Sequence, residues 1–200
     1  MRVVSAWLGI EQTVEKTTLA WARQIAEKEL STVLPRRWAH SQGVASRASE
    51  LGTVLADDTE LLSAAAVLHD VGYAPRLVDT GFHPLDGARF LRDEHGAGER
   101  LVRLVANHSF ALLEAEERRL RGVLENEFPL LEQSLLVDAL VYCDMTTAPD
   151  GHPTTAKERV AEIKGRYGAD SIVGRFILRA SPEIFAAVAR MESERMAQPR

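Results

Sequence analysis

Apolar residues recur at helical spacing along nearly the whole chain. The first periodic stretch, Trp7 to Leu30, predicts an amphipathic helix or a pair of helices. Pro35 suits the first turn of the next helix, which the pattern carries to about Leu55 despite Gly43 and Gly52. Asp57 and Asp58 are good N-caps for a helix from Thr59 to Val71 that Gly72 and Pro75 end. A loop from Tyr73 to Phe82 follows. Helices are then expected from Pro84 to about Glu94, from Glu99 to about His108, from Leu112 to Phe128 and from Leu130 to Met145. The loop APDGHP precedes a helix from Thr154 to Tyr167. Asp170 to Ala180 forms another, and Ser181-Pro182-Glu183 caps a last one, with SERMAQPR as a frayed tail. No strand alternation or hairpin signal is present. The expected fold class is all-α, a single globular helical bundle.

Several apolar stripes end in titratable residues. His40 shares a helical face with Val44, Ala48 and Leu51, and His69 shares one with Leu62 and Ala66. His108 follows Leu101 and Leu104 or Val105, and Asp144 follows Val137 and Leu140 or Val141. His83 precedes Pro84 at the start of a helix, free to point along its axis. One such histidine is most simply a core residue bonded to a carbonyl. Several together are harder to explain, because burying a polar group without a partner costs roughly 2–7 kcal/mol. A divalent metal is a partner that suits them all, taking neutral imidazole nitrogen and carboxylate oxygen alike. Asp70, beside His69, has two oxygens to share and suits a bridging role. Two divalent ions among four neutral histidines and two carboxylates would leave a positive centre, attractive to phosphate. A single ion would need only His40, His69, Asp70 and Asp144.

Composition narrows the partners. The formal net charge of −5 over 200 residues argues against a nucleic-acid binder held by bulk electrostatics. One cysteine, Cys143, excludes an intramolecular disulfide and points to a reducing, cytoplasmic setting. MRVVSAWLGIEQ lacks a signal-peptide core and cleavage site, and no apolar run reaches the roughly 18–20 residues of a membrane span. The expected partner is a small phosphorylated substrate, a nucleotide first, with no nucleic acid and no membrane. A homodimer through the terminal helices is left open.

The order of these residues resembles the HD-domain superfamily of metal-dependent phosphohydrolases. Its pattern, a His, a His-Asp pair and a distant Asp, matches His40 in RRWAHSQGV, His69-Asp70 in LLSAAAVLHDVGY and Asp144 in LVYCDMTT. The two-metal subset adds two histidines, matched by His83 in HPLDGARFL and His108 in VANHS. The resemblance is particularly close to bacterial HD hydrolases that cleave symmetrical dinucleoside tetraphosphates, through Arg37, Gly43-Val44, and His83 with Gly87-Ala88. It covers about Pro35 to Thr147. Residues 35–147 are thus expected to form the metal-binding core, with 1–34 as a helical extension packed on it and 148–200 as C-terminal helices of the same domain. Many relatives carry Lys three residues after the pair. Tyr73 stands there, and Arg76 is near enough in sequence to supply the missing charge.

The resemblance implies one or two divalent ions, iron or manganese first, with Mg, Co, Ni or Zn as alternatives. His40, His69, Asp70, His83, His108 and Asp144 would be the ligands. The expected chemistry is hydrolysis of a phosphate ester or anhydride by metal-activated water, with Asp70 orienting the hydroxide. Arg37, Tyr73 and Arg76 would contact substrate. Two other classes compete: a di-iron oxygenase cleaving a C–C or C–P bond with the same six ligands, and a non-catalytic HD sensing module. Of the remaining residues, His95 reads as a helix C-terminal residue, His152 as a solvated loop residue and Cys143 as packing. EAEERRLRG reads as a solvated helix face.

Overall fold

Hydrophobic segments that alternate with short polar breaks fold here as helices around one continuous core. The structure, a computed structural model, describes residues 18–198. The helices are α1 (Leu19–Leu30), α2 (Pro35–Ser49), α3 (Gly52–Leu55), α4 (Thr59–Leu68), α5 (His83–His95) and α6 (Glu99–Asn107). They continue with α7 (Ala111–Glu117), α8 (Arg121–Glu127), α9 (Ser134–Met145), α10 (Ala156–Tyr167) and α11 (Ile172–Ala197). Among the described residues there is no strand, only one isolated bridge between Thr147 and Pro153. No described helix is long and apolar enough to cross a membrane.

The fold is organised around α4. Every residue from Leu61 to Leu68 is buried, so beyond its first two residues this helix has no solvent face, as expected of a segment apolar on nearly all sides. Ala64, Ala65 and Ala66 keep its surface thin, and α1, α2, α6 and α9 pack around it. The second such segment is α9, buried from Asp138 to Met145. α11 lies along α9, and α10 lies against α11.

Two close backbone approaches fix how the chain passes these helices. A Cβ on Gly72 would stand 2.1 Å from the carbonyl oxygen of His83 and 2.6 Å from the nitrogen of Gly87. A Cβ on Gly43 would stand 2.2 Å from the carbonyl oxygen of Gly151, which itself has φ +87°. The first contact seats the turn after α4 on the N-terminus of α5. The second seats the loop after α9 on α2. The loop before α5 is tied by the buried carboxylate of Asp86, which accepts hydrogen bonds from the backbone nitrogens of Asp79, Thr80 and Gly81.

Several element boundaries differ from the sequence expectation. The N-terminal periodic stretch is described only as α1; Trp7 and its neighbours lie outside the described residues. The helix opened by Pro35 stops at Ser49, and α3 restarts at Gly52. The Asp58 side chain does not cap α4; it accepts from Arg100 at 2.7 Å. α4 ends at Leu68, before the His-Asp pair, and a 3-10 turn over Val71–Tyr73 follows. The expected helix from Leu112 to Phe128 is two helices. Arg119 adopts φ 61°, and the Leu120 nitrogen donates back to the Ala115 carbonyl at 2.7 Å. That turn redirects the chain so that Leu124 and Phe128 reach the core. Residues Pro129 to Gln133 precede α9 rather than forming its first turn, and the Arg103 guanidinium holds the Pro129 carbonyl at 2.6 Å.

Pro182 does not start a helix; it sits inside α11. The amide it lacks would have bonded the carbonyl of Leu178, and Leu178 is exposed to water. The Ser181 hydroxyl donates to the Ile177 carbonyl in the same turn. Meanwhile Ile177, Ala180, Ile184, Ala187 and Met191 stay buried on one face through the proline. Packing thus overrides the local signal, and the helix runs on to Ala197 through the expected frayed tail.

Because Gly72 meets backbone on two sides, Gly72→Ala is expected to destabilise the protein by about 1–3 kcal/mol through overpacking. Urea denaturation measures this; a variant as stable as the parent would show that the contact is not tight.

Candidate metal centre

Four helices and two turns deliver the six candidate ligands to one place. His40 comes from the middle of α2, and Asp144 from the last turn of α9. His69 and Asp70 stand where buried α4 gives way to the Val71–Tyr73 turn, and His83 is the first residue of α5. His108 follows α6 in a turn where Ser109 and Phe110 both adopt left-handed backbone, with φ 49° and 64°. Such conformations cost of order 1–3 kcal/mol each without glycine and persist only where the surroundings impose them. Here the Asn107 side chain braces the turn by donating to the Phe128 and Arg103 carbonyls at 2.8 and 3.0 Å.

The orientation of the imidazoles is fixed from behind. Nδ1 of His69 lies 2.7 Å from the Ala66 carbonyl, Nδ1 of His108 lies 2.7 Å from that of Val105, and Nδ1 of His40 lies 3.0 Å from that of Ala148. A carbonyl oxygen only accepts, so each Nδ1 carries a proton, and in its neutral form each ring turns an Nε2 lone pair inward. The inward atoms are crowded. His40 Nε2 is 3.1 Å from Asp144 Oδ1, and His69 Nε2 is 3.2 Å from Asp70 Oδ2. His83 Nε2 is 3.3 Å from Asp70 Oδ1 and 3.2 Å from His108 Nε2. His69 Nε2 is fully buried with no hydrogen-bond partner. Lone pairs facing carboxylate oxygens in the interior repel unless something positive lies among them.

These donors fit divalent metal. His40, His69 and Asp70 offer ligand atoms within 4.8 Å of one another, and so do Asp70, His83 and His108. Asp70 belongs to both groups, with Oδ2 toward the first and Oδ1 toward the second. Asp144 closes the first group through Oδ1, and its Oδ2 accepts from the Ser109 hydroxyl at 2.5 Å. The donor set is imidazole nitrogen and carboxylate oxygen, with three rings already held by second partners, which is the usual arrangement around bound metal.

Electrostatics favours ionised carboxylates at Asp70 and Asp144 and neutral rings at His83 and His108. Burial works against ionisation of Asp70, but Arg37 and His69 outweigh it and hold its pKa well below the usual carboxylate range. Burial likewise opposes the charge on Asp144, and His40 and His69 win, so its pKa is also lowered. Burial pushes the His83 imidazole down to about 3, leaving it neutral. His108 is lowered by burial, with His69 beside it. His69 is raised, because its two neighbouring carboxylates overcome its burial.

The three expected substrate contacts separate. Arg37 Nη1 donates to Asp70 Oδ2 at 2.6 Å, and its guanidinium lies 4.0 Å from the Tyr73 ring centroid. Tyr73 in turn stacks on His83 at 3.9 Å and 18°. The Tyr73 ring is therefore a plate between a cation and a ligand, and burial raises its pKa and keeps the phenol neutral. Arg76 does not reach the cleft. It forks onto Glu29 at 2.6 and 2.8 Å and packs over Phe90, so its charge is spent in a structural ion pair rather than on substrate.

Asp70, His83, His108 and Asp144 are open to a cleft with a cavity volume of about 80 Å³. Its far wall is built by Arg159, Ile163, Arg166 and Tyr167 of α10 and by Phe176 and Ile177 of α11. Glu114 also lines it, buried and bonded to Arg118 at 2.7 Å, with burial raising its carboxyl pKa. This corrects the reading of EAEERRLRG as a solvated face. The only sequence signal was that Ala111 and Ala115 put Glu114 on a small apolar face. Nothing in the sequence marked Arg159. His152 is exposed and does not line the cleft, His95 packs on Trp21 and Phe90, and Cys143 is buried.

If the centre holds two ions, Asp70→Ala loses both, while His83→Ala and His108→Ala each keep about one per chain by elemental analysis. Chelation is expected to lower Tm by roughly 5–10 °C relative to protein with metal at about 100 times Kd. An unchanged Tm and a metal content insensitive to Asp70→Ala would contradict this assignment.

Comparison with known proteins agrees with this geometry. The family model described as HD domain matches residues 37–148, more than half of the chain and all six candidate ligands. No curated protein and no solved structure gives a significant match. An HD domain is a helical module of the metal-dependent hydrolase type, and the His/Asp cluster described above is consistent with it. The chain belongs to the HD-domain family.

Proposed function

We propose that this protein is a metal-dependent phosphohydrolase acting on a phosphate ester or anhydride of a nucleotide or another small phosphorylated metabolite. The observation that carries the reading is the position of Asp70. It presents one oxygen to each half of a six-residue ligand set and does so at the floor of an arginine-bordered cleft. Bound divalent metal would add positive charge to this cleft, and a positive cleft concentrates anions.

His40, His69, Asp70 and Asp144 would hold one ion, and Asp70, His83 and His108 a second. Divalent metal, iron or manganese first, would supply Lewis acidity: hydroxide near neutral pH and a polarised phosphoryl oxygen. The residues of the chain do the rest. Asp70 and Asp144 stay ionised and fix the charge of the centre. Arg37 neutralises Asp70 and, with Tyr73, closes one side of the cleft. The neutral Tyr73 phenol remains able to donate a hydrogen bond to a phosphoryl oxygen. Ile163 of α10 and Phe176 and Ile177 of α11 give the facing wall an apolar part that would shield the reacting group from water. Symmetrical dinucleoside tetraphosphates are one proposed substrate class among the phosphorylated metabolites of a reducing cytoplasm.

The test is phosphate release from a panel of nucleoside mono-, di- and triphosphates and dinucleoside tetraphosphates, with Mn²⁺ or Fe²⁺ added. Asp70→Ala and Asp144→Ala are each expected to lower kcat at least about a thousandfold, the worth of several kcal/mol of metal catalysis. Oxygen consumption by a two-iron protein with no phosphate release would overturn the hydrolase reading.

A further inference from the structure

The wall of the cleft outside the family match contains a buried cation with an unused donor. Arg159, in the first half of α10, is 6% exposed, and it borders the same cavity as Asp70 and Asp144. Its Nη1 donates to Glu162 Oε2 at 2.5 Å. Its Nε has no hydrogen-bond partner and no access to solvent. Guanidinium is costly to bury and more costly to leave partly unpaired. Nε and Nη2 form one edge of its plane, the edge Glu162 leaves, and that edge matches two oxygens of a phosphate or carboxylate.

The other arginines at the cleft are committed. Arg37 is bonded to Asp70 and stacked on Tyr73. Arg166 shares Glu162 with Arg159, at 2.8 Å through its Nε, and is about one-third exposed. Arg118, outside the lining, is paired with the cleft residue Glu114. One carboxylate, Glu162, thus serves two guanidiniums, and the α10 wall carries an unbalanced positive charge. Arg159, Ile163 and Arg166 follow helical spacing, which places cation, apolar contact and cation along one line of the wall.

We propose that Arg159 is the anion-binding residue of the cleft, its guanidinium turning the unpaired Nε edge toward non-bridging oxygens of the substrate. Naming that anion as a phosphoryl group rests on the hydrolase reading above; the site itself does not. Ile163 and Tyr167 beside it pack the organic part of the same molecule. α10 therefore contributes recognition from outside residues 37–148.

Inorganic phosphate is the probe, titrated calorimetrically into the full-length, metal-loaded protein. Arg159→Gln is expected to weaken phosphate binding at least about tenfold, or 1.4 kcal/mol, with metal content and Tm unchanged. Arg76→Gln, far from the cleft, is expected to bind as the parent does. Should Arg159→Gln fold poorly, Arg159→Lys keeps the stem and charge and is expected to lose at least about threefold, because it lacks the planar edge. Phosphate affinity within twofold of the parent in a folded Arg159 variant overturns the proposal, as does a parent that binds no phosphate. The two readings fail separately. Loss of phosphate binding in Arg159→Gln without turnover of any phosphorylated compound keeps the anion site and removes the hydrolase. Turnover with unchanged phosphate binding does the reverse.

Discussion

Three backbone carbonyls, those of Ala66, Val105 and Ala148, determine what the centre of this protein can be. Each accepts from the Nδ1 of an imidazole, so that the neutral ring presents its Nε2 lone pair. Those lone pairs converge on Asp70 and Asp144, whose oxygens are acceptors as well. With the rings neutral, no proton lies between these nitrogens and the carboxylates, and burial denies the cluster water; His69 Nε2 has no hydrogen-bond partner at all. A cation resolves the conflict, and the geometry of two donor groups sharing Asp70 sets where a cation would sit.

The rest of the fold serves to hold that conflict in place. α4 and α9 are buried nearly all round, so Asp144 stands on a rigid helix and His69 and Asp70 directly follow one. Gly72 against α5 and Gly151 against α2 bring backbone to backbone, and no larger residue could keep His83 and His40 as close to the centre. The left-handed pair Ser109-Phe110 stores strain beside His108, stabilised by Asn107. Core packing, tight glycine contacts and local strain act in one direction, toward a fixed constellation of ligands.

Much of the candidate cluster was legible in the sequence because His40, His69, His108 and Asp144 lie on apolar stripes, where period and burial point the same way. The all-α class was legible for the same reason. What the sequence hid depends on contacts distant along the chain. The break at Arg119 follows from the need to bring Leu124 and Phe128 into the core, and Arg119 is not a residue that announces left-handed backbone. Pro182 signals a helix start, but the buried face through Ile177, Ala180 and Ile184 carries α11 past it. Arg76 looked available until Glu29, forty-seven positions earlier, took its guanidinium. Glu114 and Arg159 sit in charged helical segments that read as surface, and only the assembly of α7, α10 and α11 turns them inward. Tyr73 is explained by its neighbours: it is the plate between Arg37 and His83.

The most direct test is an anomalous difference map from crystals grown with Mn²⁺ and measured near the manganese edge. The account predicts density on both sides of Asp70, one peak among His40, His69 and Asp144 and one beside His83 and His108. A map with no peak inside the cluster, and with the Nε2 atoms bonded to ordered water instead, would contradict it.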